Sequence, residues 1–267
     1  MLKDITLGQF FPGKSILHRA DPRGKLLLLV VFIVALFMAR TAWQYAAVAT
    51  VLLLAIVSAK ISLRQLFRGM RPVLFLVMFT AIINIFFTPG EDIAPWFFLR
   101  ISEEGLRLAA MMMGRILMLI SATFLLTYTT SPLQLTDALE RAMSPLKIVR
   151  FPAHEISMMM TIALRFIPTL VEETDKIMSA QKARGSDFET GGLFKRMRAL
   201  IPLMVPLILS AFRRANELAL AMESRCYNGG KGRTRLRILR WRLLDLALIL
   251  FVGALLAGVI VMRGQGI

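Results

Sequence analysis

Leu243-Leu-Asp-Leu-Ala-Leu-Ile-Leu-Phe-Val-Gly-Ala-Leu-Leu-Ala-Gly-Val-Ile-Val-Met262 carries a single charge, Asp245, near its first turn. A helix needs about 20 apolar residues to cross a hydrocarbon core about 30 Å thick, so this stretch reads as a membrane span. Gly253-x-x-x-Ala257 and Ala254-x-x-x-Gly258 place small residues where helix backbones approach closely, a signal common to many spans. Four more segments come close to the same length: residues 26–39, 41–59, 72–90 and 108–128. The first is short, but Lys25 and Arg40 flank it, and their stems can snorkel to the two interfaces. Asp21 is placed as an N-cap with Pro22 as the first helical residue, and Ser102 before Glu103 and Glu104 marks a second helix start.

Composition agrees with lipid. Of 267 residues 57% are apolar and 19% charged, with a mean hydropathy of +0.65. Soluble domains run roughly 45–50% apolar and about 25% charged. The 33 Lys and Arg exceed the 17 Asp and Glu by 16. A nucleic-acid domain accounts for that charge but not for the apolar fraction, so no nucleic-acid partner is expected. The lone Cys226 forms no intramolecular disulfide, and with two His the chain lacks the ligands of an ordinary zinc site, so no metal is expected. The first 25 residues carry scattered charges and no apolar core, unlike a cleavable signal peptide.

The cations set an orientation. Lys3, Lys14, Arg19, Arg23 and Lys25 precede the first span, against Asp4 and Asp21. Lys60, Arg64, Arg68 and Arg71 join the second and third with no acid between them, whereas the opposite side carries Arg40 alone and then Glu91, Asp92, Glu103 and Glu104 against Arg100 and Arg107. A cytoplasmic N-terminus and, after five spans, an outside C-terminus are expected.

Residues 129–242 hold 19 Lys and Arg against 10 Asp and Glu, too long and too basic for an ordinary loop. Ser131-Pro132-x-Gln134 is a capping box opening a short helix that stops at Ser144-Pro145. A long helix follows from near Pro152, apolar over 156–171, polar from Glu172, and ending at Ala183-Arg184-Gly185, where Gly185 suits the left-handed position after a helix. A second long helix repeats the plan: apolar over 199–212, then polar from Arg213 to Ser224-Arg225-Cys226, before Gly229-Gly230. At 14 residues between Arg198 and Arg213, the stretch 199–212 reads as an interfacial helix rather than a span, although a model in which both apolar halves cross leaves the parity of five unchanged. Met111–Met113 and Met158–Met160 read either as gap-filling core or as an adaptable surface.

Enzyme chemistry has no visible constellation. His18 and His154 have no acid or Cys partner in sequence, G-x-x-x-x-G-K-[ST] is absent, and Gly229-Gly230-Lys231-Gly232 reads as a flexible link. Membrane lipids are expected on part of the basic face. Either of Arg184 and Arg225 alone reads as a cation favoured by the helix dipole; two on paired helices suggest bidentate docking to a partner. Arg115, seven or eight residues from the outer end of its span, is expected to meet Asn84 inside the bundle as a polar contact.

The run Thr161-Ile-Ala-Leu-Arg-Phe-Ile-Pro-Thr-Leu170, then Glu172-Glu173-Thr-Asp-Lys-Ile177 and Ala180-Gln-Lys-Ala-Arg-Gly185, closely resembles the transmembrane T component (EcfT) of energy-coupling factor (ECF) type ABC transporters, shared-module group. So does Gly8-Gln9 … Pro12-Gly13 … His18-Arg19-Ala-Asp21-Pro22-Arg23-Gly-Lys25, and the likeness covers nearly the whole chain. It implies an all-α, multi-pass integral membrane bundle in a bacterial cell membrane, with a cytoplasmic coupling domain of long amphipathic helices. The division expected is 1–128 for the first four spans, 129–242 for the coupling helices and 243–267 for the last span and tail. The resemblance also implies the partners. Two ABC-type ATPase subunits would receive the motif arginines, and small membrane S components would bind vitamins or other micronutrients. ATP and Mg would sit on the ATPases and no cofactor on this chain, so the chain itself is not expected to be an enzyme. The coupling motifs carry over as Ala183-Arg184-Gly185 and, departing from the Ala-Arg-Gly pattern, Ser224-Arg225-Cys226. Other classes consistent with the spans are a conventional ABC permease subunit and a membrane anchor or scaffold without energy coupling.

Overall fold

A computed structural model describes residues 10–89, 92–96, 99–149, 151–186, 188, 192–230 and 241–264. Of the positions singled out above, Lys3, Asp4, Gly8, Gln9, Gly90, Glu91, Lys231 and Gly232 lie outside the described residues. The chain is helical: α1 (Ile16–Arg19), α2 (Pro22–Met38), α3 (Ala42–Ala59), α4 (Leu63–Phe87), α5 (Glu103–Thr129), α6 (Pro132–Ala142), a 3-10 turn (Ser144–Val149), α7 (Ala153–Ala183), α8 (Leu193–Glu223) and α9 (Leu243–Gly264). Between α4 and α5 a short antiparallel hairpin pairs β1 (Asp92–Trp96) with β2 (Leu99–Ser102). Two compact units emerge, one of residues 8–138 with 238–267 and one of 139–237.

The first unit is a bundle of α2, α3, α4, α5 and α9. Tyr45, Val48, Leu52, Ile56 and Ala59 repeat every three to four residues along α3, a single buried face. They pack with Phe32 and Leu36 of α2, Leu66 and Met70 of α4, Ala122, Leu125 and Tyr128 of α5 and Val259 of α9. The other faces are just as apolar and stay exposed: Leu53, Leu54 and Val57 on α3, Phe75, Leu76 and Phe79 on α4. A helix apolar all round belongs in hydrocarbon. Close packing is built in where α5 starts. A Cβ on Gly105 would stand 3.0 Å from the Asn84 carbonyl and 3.1 Å from that of Ile85, so only glycine lets α5 lie against the end of α4.

The local start signals hold. Asp21 accepts from the Arg23 amide at 2.9 Å, Ser102 Oγ from the Gly105 amide at 3.0 Å, and Ser131 and Gln134 cap each other reciprocally. One boundary moves. The helix expected over 72–90 runs from Leu63 to Phe87, with Pro72 inside it. Proline removes one backbone hydrogen bond, which kinks a helix but does not have to end it. The helix that carries the span expected over 108–128 begins at Glu103, where Ser102 before Glu103 and Glu104 marks its start in the sequence.

Among the described residues five helices are long and apolar enough to cross a membrane: α3, α4, α5, the part of α8 from Met197 to Glu223, and α9. α2, at 17 residues, covers about 25 Å at 1.5 Å per residue and is one residue shorter than α3. The stretch Met197–Glu223 of α8, whose apolar part reads in the sequence as interfacial, meets the same length and composition. Its apolar part ends at Arg213, and the helix runs on through Arg213 and Arg214 to Glu223, as the polar half of the sequence pattern leads one to expect.

Candidate functional site

The second unit is dominated by α7 and α8, 31 residues each. Their contacts progress from Gln181 against Pro202, through Glu173 against Ser210 and Arg214, to Ile162 sharing a groove with Met222. Falling numbers on one helix meet rising numbers on the other, so the pair is antiparallel. A single carboxylate joins them at mid-length. Glu173 Oε2 accepts from Arg214 Nη2 at 2.5 Å, and Glu173 Oε1 accepts from Ser210 Oγ. Both charged side chains are mostly buried, 22% and 30% exposed, and charge-assisted bonds of this kind are the strong ones.

Each helix ends in the same way. At the end of α7 the Gly185 amide donates to the Lys182 carbonyl at 3.0 Å and the Ser186 amide to Gln181 at 3.0 Å, with Gly185 at φ +86°. At the end of α8 the Cys226 amide donates to Glu223 at 2.9 Å and the Tyr227 amide to Met222 at 3.0 Å, with Cys226 at φ 55°. This is one Schellman ending twice. Ser224-Arg225-Cys226, which departs in sequence from Ala183-Arg184-Gly185, repeats its backbone. In both, the arginine is the last residue before the left-handed turn, exposed at the negative end of the helix dipole. Among the described residues neither guanidinium makes a hydrogen bond or ion pair. Because the helices are antiparallel, Arg184 and Arg225 stand at opposite ends of the pair, roughly 40 Å apart along it at 1.5 Å per residue. A cleft of about 420 Å³ lined by Met158, Ile162, Met222 and Tyr227 reaches Arg225. α8 keeps its apolar side open, with Ile201, Val205, Leu209 and Phe212 between 55% and 68% exposed.

The expected contact between Arg115 and Asn84 is not made. Arg115 Nη2 donates instead to the carbonyl of Ala39, the residue that caps the C-terminus of α2, at 3.2 Å. Its guanidinium lies 5.5 Å from the centroid of Phe37 and 5.7 Å from that of Tyr45. Asn84 donates within its own helix to the Thr80 carbonyl at 2.8 Å. Depth explains the miss. Asn84 lies level with Gly105, and Arg115 is a further ten residues, about 15 Å, along α5.

The two histidines are tied to their surroundings. The Phe11 carbonyl accepts from His18 Nε2 at 2.9 Å and Ser15 Oγ lies 2.6 Å from His18 Nδ1, while His154 Nδ1 lies 3.1 Å from Glu140 Oε1.

One polar cluster escaped the sequence reading. Lys25, taken there as a snorkelling flank, is 6% exposed and donates to the Thr129 carbonyl at 2.8 Å and to Thr130 Oγ1 at 3.2 Å. Asp245, 1% exposed, accepts from the amides of Asp21 at 2.7 Å and Arg242 at 2.8 Å. The ammonium is compensated by Asp245 and Asp21 and by the carbonyl end of α5. The signal available in the sequence was a pair of opposite charges in the first turns of the first and last spans.

These features define a class: a multi-pass helical membrane protein that carries, on a separate antiparallel pair of long helices, two arginine-tipped ends. A family model described as cobalt transport protein, CbiQ, matches residues 13–236. The energy-coupling factor transporter transmembrane protein EcfT of Ruminiclostridium cellulolyticum is 49% identical over 245 residues, 92% of this chain and 92% of its own length. That of Thermanaerovibrio acidaminovorans is 50% identical over 256 residues (96% and 95%), and that of Thermosediminibacter oceani 48% over 262 (98% and 99%). The chain belongs to this family of energy-coupling factor transporter transmembrane proteins.

Proposed function

We propose that this chain is the transmembrane coupling subunit of an ECF-type ABC transporter for vitamin or micronutrient uptake. It passes the ATP-driven motion of two ATPase subunits to a substrate-binding S component. The observation that carries the reading is the duplicated ending of α7 and α8: two exposed arginines on identical left-handed caps, at opposite ends of one clamped pair. A guanidinium presents five donors in a rigid fork, suited to bidentate docking on carboxylates or carbonyls. Two such forks about 40 Å apart suit two receivers better than one. ATP and Mg belong to those receivers, where hydrolysis takes place. The open apolar side of α8 is the surface on which an S component would rest, and its methionines allow partners of different shape. Such coupling needs contacts that differ between the two nucleotide states. Substrate choice lies with the S component, so the word cobalt in the family description is not carried to this chain.

The N-terminus is proposed to be cytoplasmic from the cation distribution, and an odd number of crossings then puts the C-terminus outside. Arg184→Ala combined with Arg225→Ala is expected to leave membrane insertion intact and to separate ATP hydrolysis from uptake. Uptake at the normal rate by the double variant, in cells or proteoliposomes, would refute the proposal. Affinity capture of the full chain should bring down two ATPases and small membrane proteins.

A further inference from the structure

Within the bundle, α2 and α3 part at the end that carries Lys25 and leave an apolar cavity of about 300 Å³. Leu29 and Phe32 of α2, Leu52 and Ala55 of α3, and Ala122 and Leu126 of α5 form its walls. It runs from the level of Lys25 to that of Phe32, about 10 Å at 1.5 Å per residue. A leaflet's share of the hydrocarbon core is about 15 Å, so most of one acyl chain fits. An engineered apolar cavity half this size stays dry and takes up apolar guests. The opening is marked by exposed lining residues, Leu54 on α3 and Phe251 on α9, 55% and 50% exposed, on faces that meet hydrocarbon. Its closed end is polar. Lys25 lines it, and its ammonium spends two of its three protons on Thr129 and Thr130. Lys14, Arg19 and Lys60 flank the lining residues Ile16, Ala20 and Ser58, while Asp21 and Asp245 are buried and held by main-chain amides.

We infer that this cavity is a lipid site. It takes one acyl chain of an anionic phospholipid laterally from the bilayer, with the phosphate held at the cationic end by Lys25, Arg19 and Lys60. The inference is independent of the coupling role and needs only that the bundle lies in a membrane. A neutral headgroup would offer Arg19 and Lys60 no counter-charge, whereas each cation near an anionic lipid surface contributes favourably. The guest fills the space that separates α2 from α3.

The test uses the full chain in nanodiscs of phosphatidylglycerol or phosphatidylcholine, extracted into mild detergent and weighed by native mass spectrometry. The wild type is expected to keep one phosphatidylglycerol through extraction and to discriminate against phosphatidylcholine roughly tenfold. Ala55→Phe, from α3, and Ala122→Leu, from α5, each fill the cavity and should abolish retention. Arg19→Gln with Lys60→Gln leaves the cavity open and should lower the preference for phosphatidylglycerol roughly tenfold, so it carries the test even where a filling variant fails to insert. Equal retention of both lipids by the wild type, or retention unchanged in the filling variants, marks an ordinary annular lipid and overturns the inference. So does an unchanged preference in the rim variant.

Discussion

Glu173 is the residue on which the α7–α8 pair most depends. Its carboxylate is 22% exposed and accepts from both Ser210 and Arg214 of α8. Glu173→Ala removes both acceptors and leaves the Arg214 guanidinium, 30% exposed, without this partner. A hydrogen bond to a charged group is worth about 1.5–3 kcal/mol, and the partial exposure draws the pair towards the lower end. The expected loss is about 2 kcal/mol, with roughly half of it for Glu173→Gln, which keeps an acceptor for Ser210 but not the charge. The assay is a double-mutant cycle with Arg214→Met, each variant unfolded reversibly in mixed micelles by SDS. The cycle isolates the pair, because helix propensity and lost packing cancel between its arms. A coupling energy of about 1–2 kcal/mol is expected; additivity within about 0.3 kcal/mol would show that the two groups do not hold α7 to α8. In transport assays, complexes assembled with the same variants should still hydrolyse ATP at the partner subunits while uptake falls, because the proposed levers no longer move as one.

Cys226 occupies a left-handed conformation that costs an L-residue about 1–2 kcal/mol and glycine almost nothing. Cys226→Gly should therefore stabilise the end of α8 by about 1 kcal/mol, less glycine's extra freedom in the unfolded chain, and Cys226→Val should destabilise it; hydrogen exchange at the Tyr227 amide reads both. Asp245→Asn turns one acceptor of the buried cluster into a donor facing another donor, and it leaves Lys25 with less counter-charge. A loss of about 3 kcal/mol is expected in SDS unfolding, and a neutral result would show that the cluster is solvated after all.

Much of this fold is legible in the sequence, because apolar runs and capping residues are local signals. Asp21, Ser102, Ser131 and Gly185 each do what their types dictate at helix ends. The failures have a common cause, which is that a charge or a proline was judged without its partner. Arg213 looked like a charged boundary that kept 199–212 interfacial, yet Arg214 beside it is paired with Glu173 of the neighbouring helix. Pro72 looked like a start and lies inside a helix. Arg115 was matched with the nearest polar residue by depth, and the helix-terminal carbonyl that receives it carries no side-chain signature at all. In the candidate site the arginines themselves were legible, and the identity of their two endings was not. Ser-Arg-Cys does not announce a left-handed cap; only the backbone shows it.

The buried cluster at the end of the bundle bears on what the proposed levers are fixed to. Taking an ammonium and carboxylates out of water is costly, and apolar residues of similar volume are often as stable or more so. Stability alone therefore does not account for Lys25 and Asp245, each 6% or less exposed. What an ionic cluster adds is direction. Lys25 accepts only a geometry that brings the Thr129 carbonyl to 2.8 Å, and Asp245 only one that brings the Asp21 and Arg242 amides to 2.7 and 2.8 Å. The last turn of α5 and the first turn of α9 are thereby both registered on the first turns of α2. Thr130 and Arg242 are also the residues between which the chain runs out to α7 and α8 and back. A lever transmits force only against a base that does not yield, and here the last turn of α5 and the first turn of α9 are both fastened to the buried first turn of one helix, α2. Hydrophobic packing resists separation but slides at low cost; hydrogen bonds to buried charges do not, because a shift of an ångström or two leaves a charge unpaired in an apolar surround.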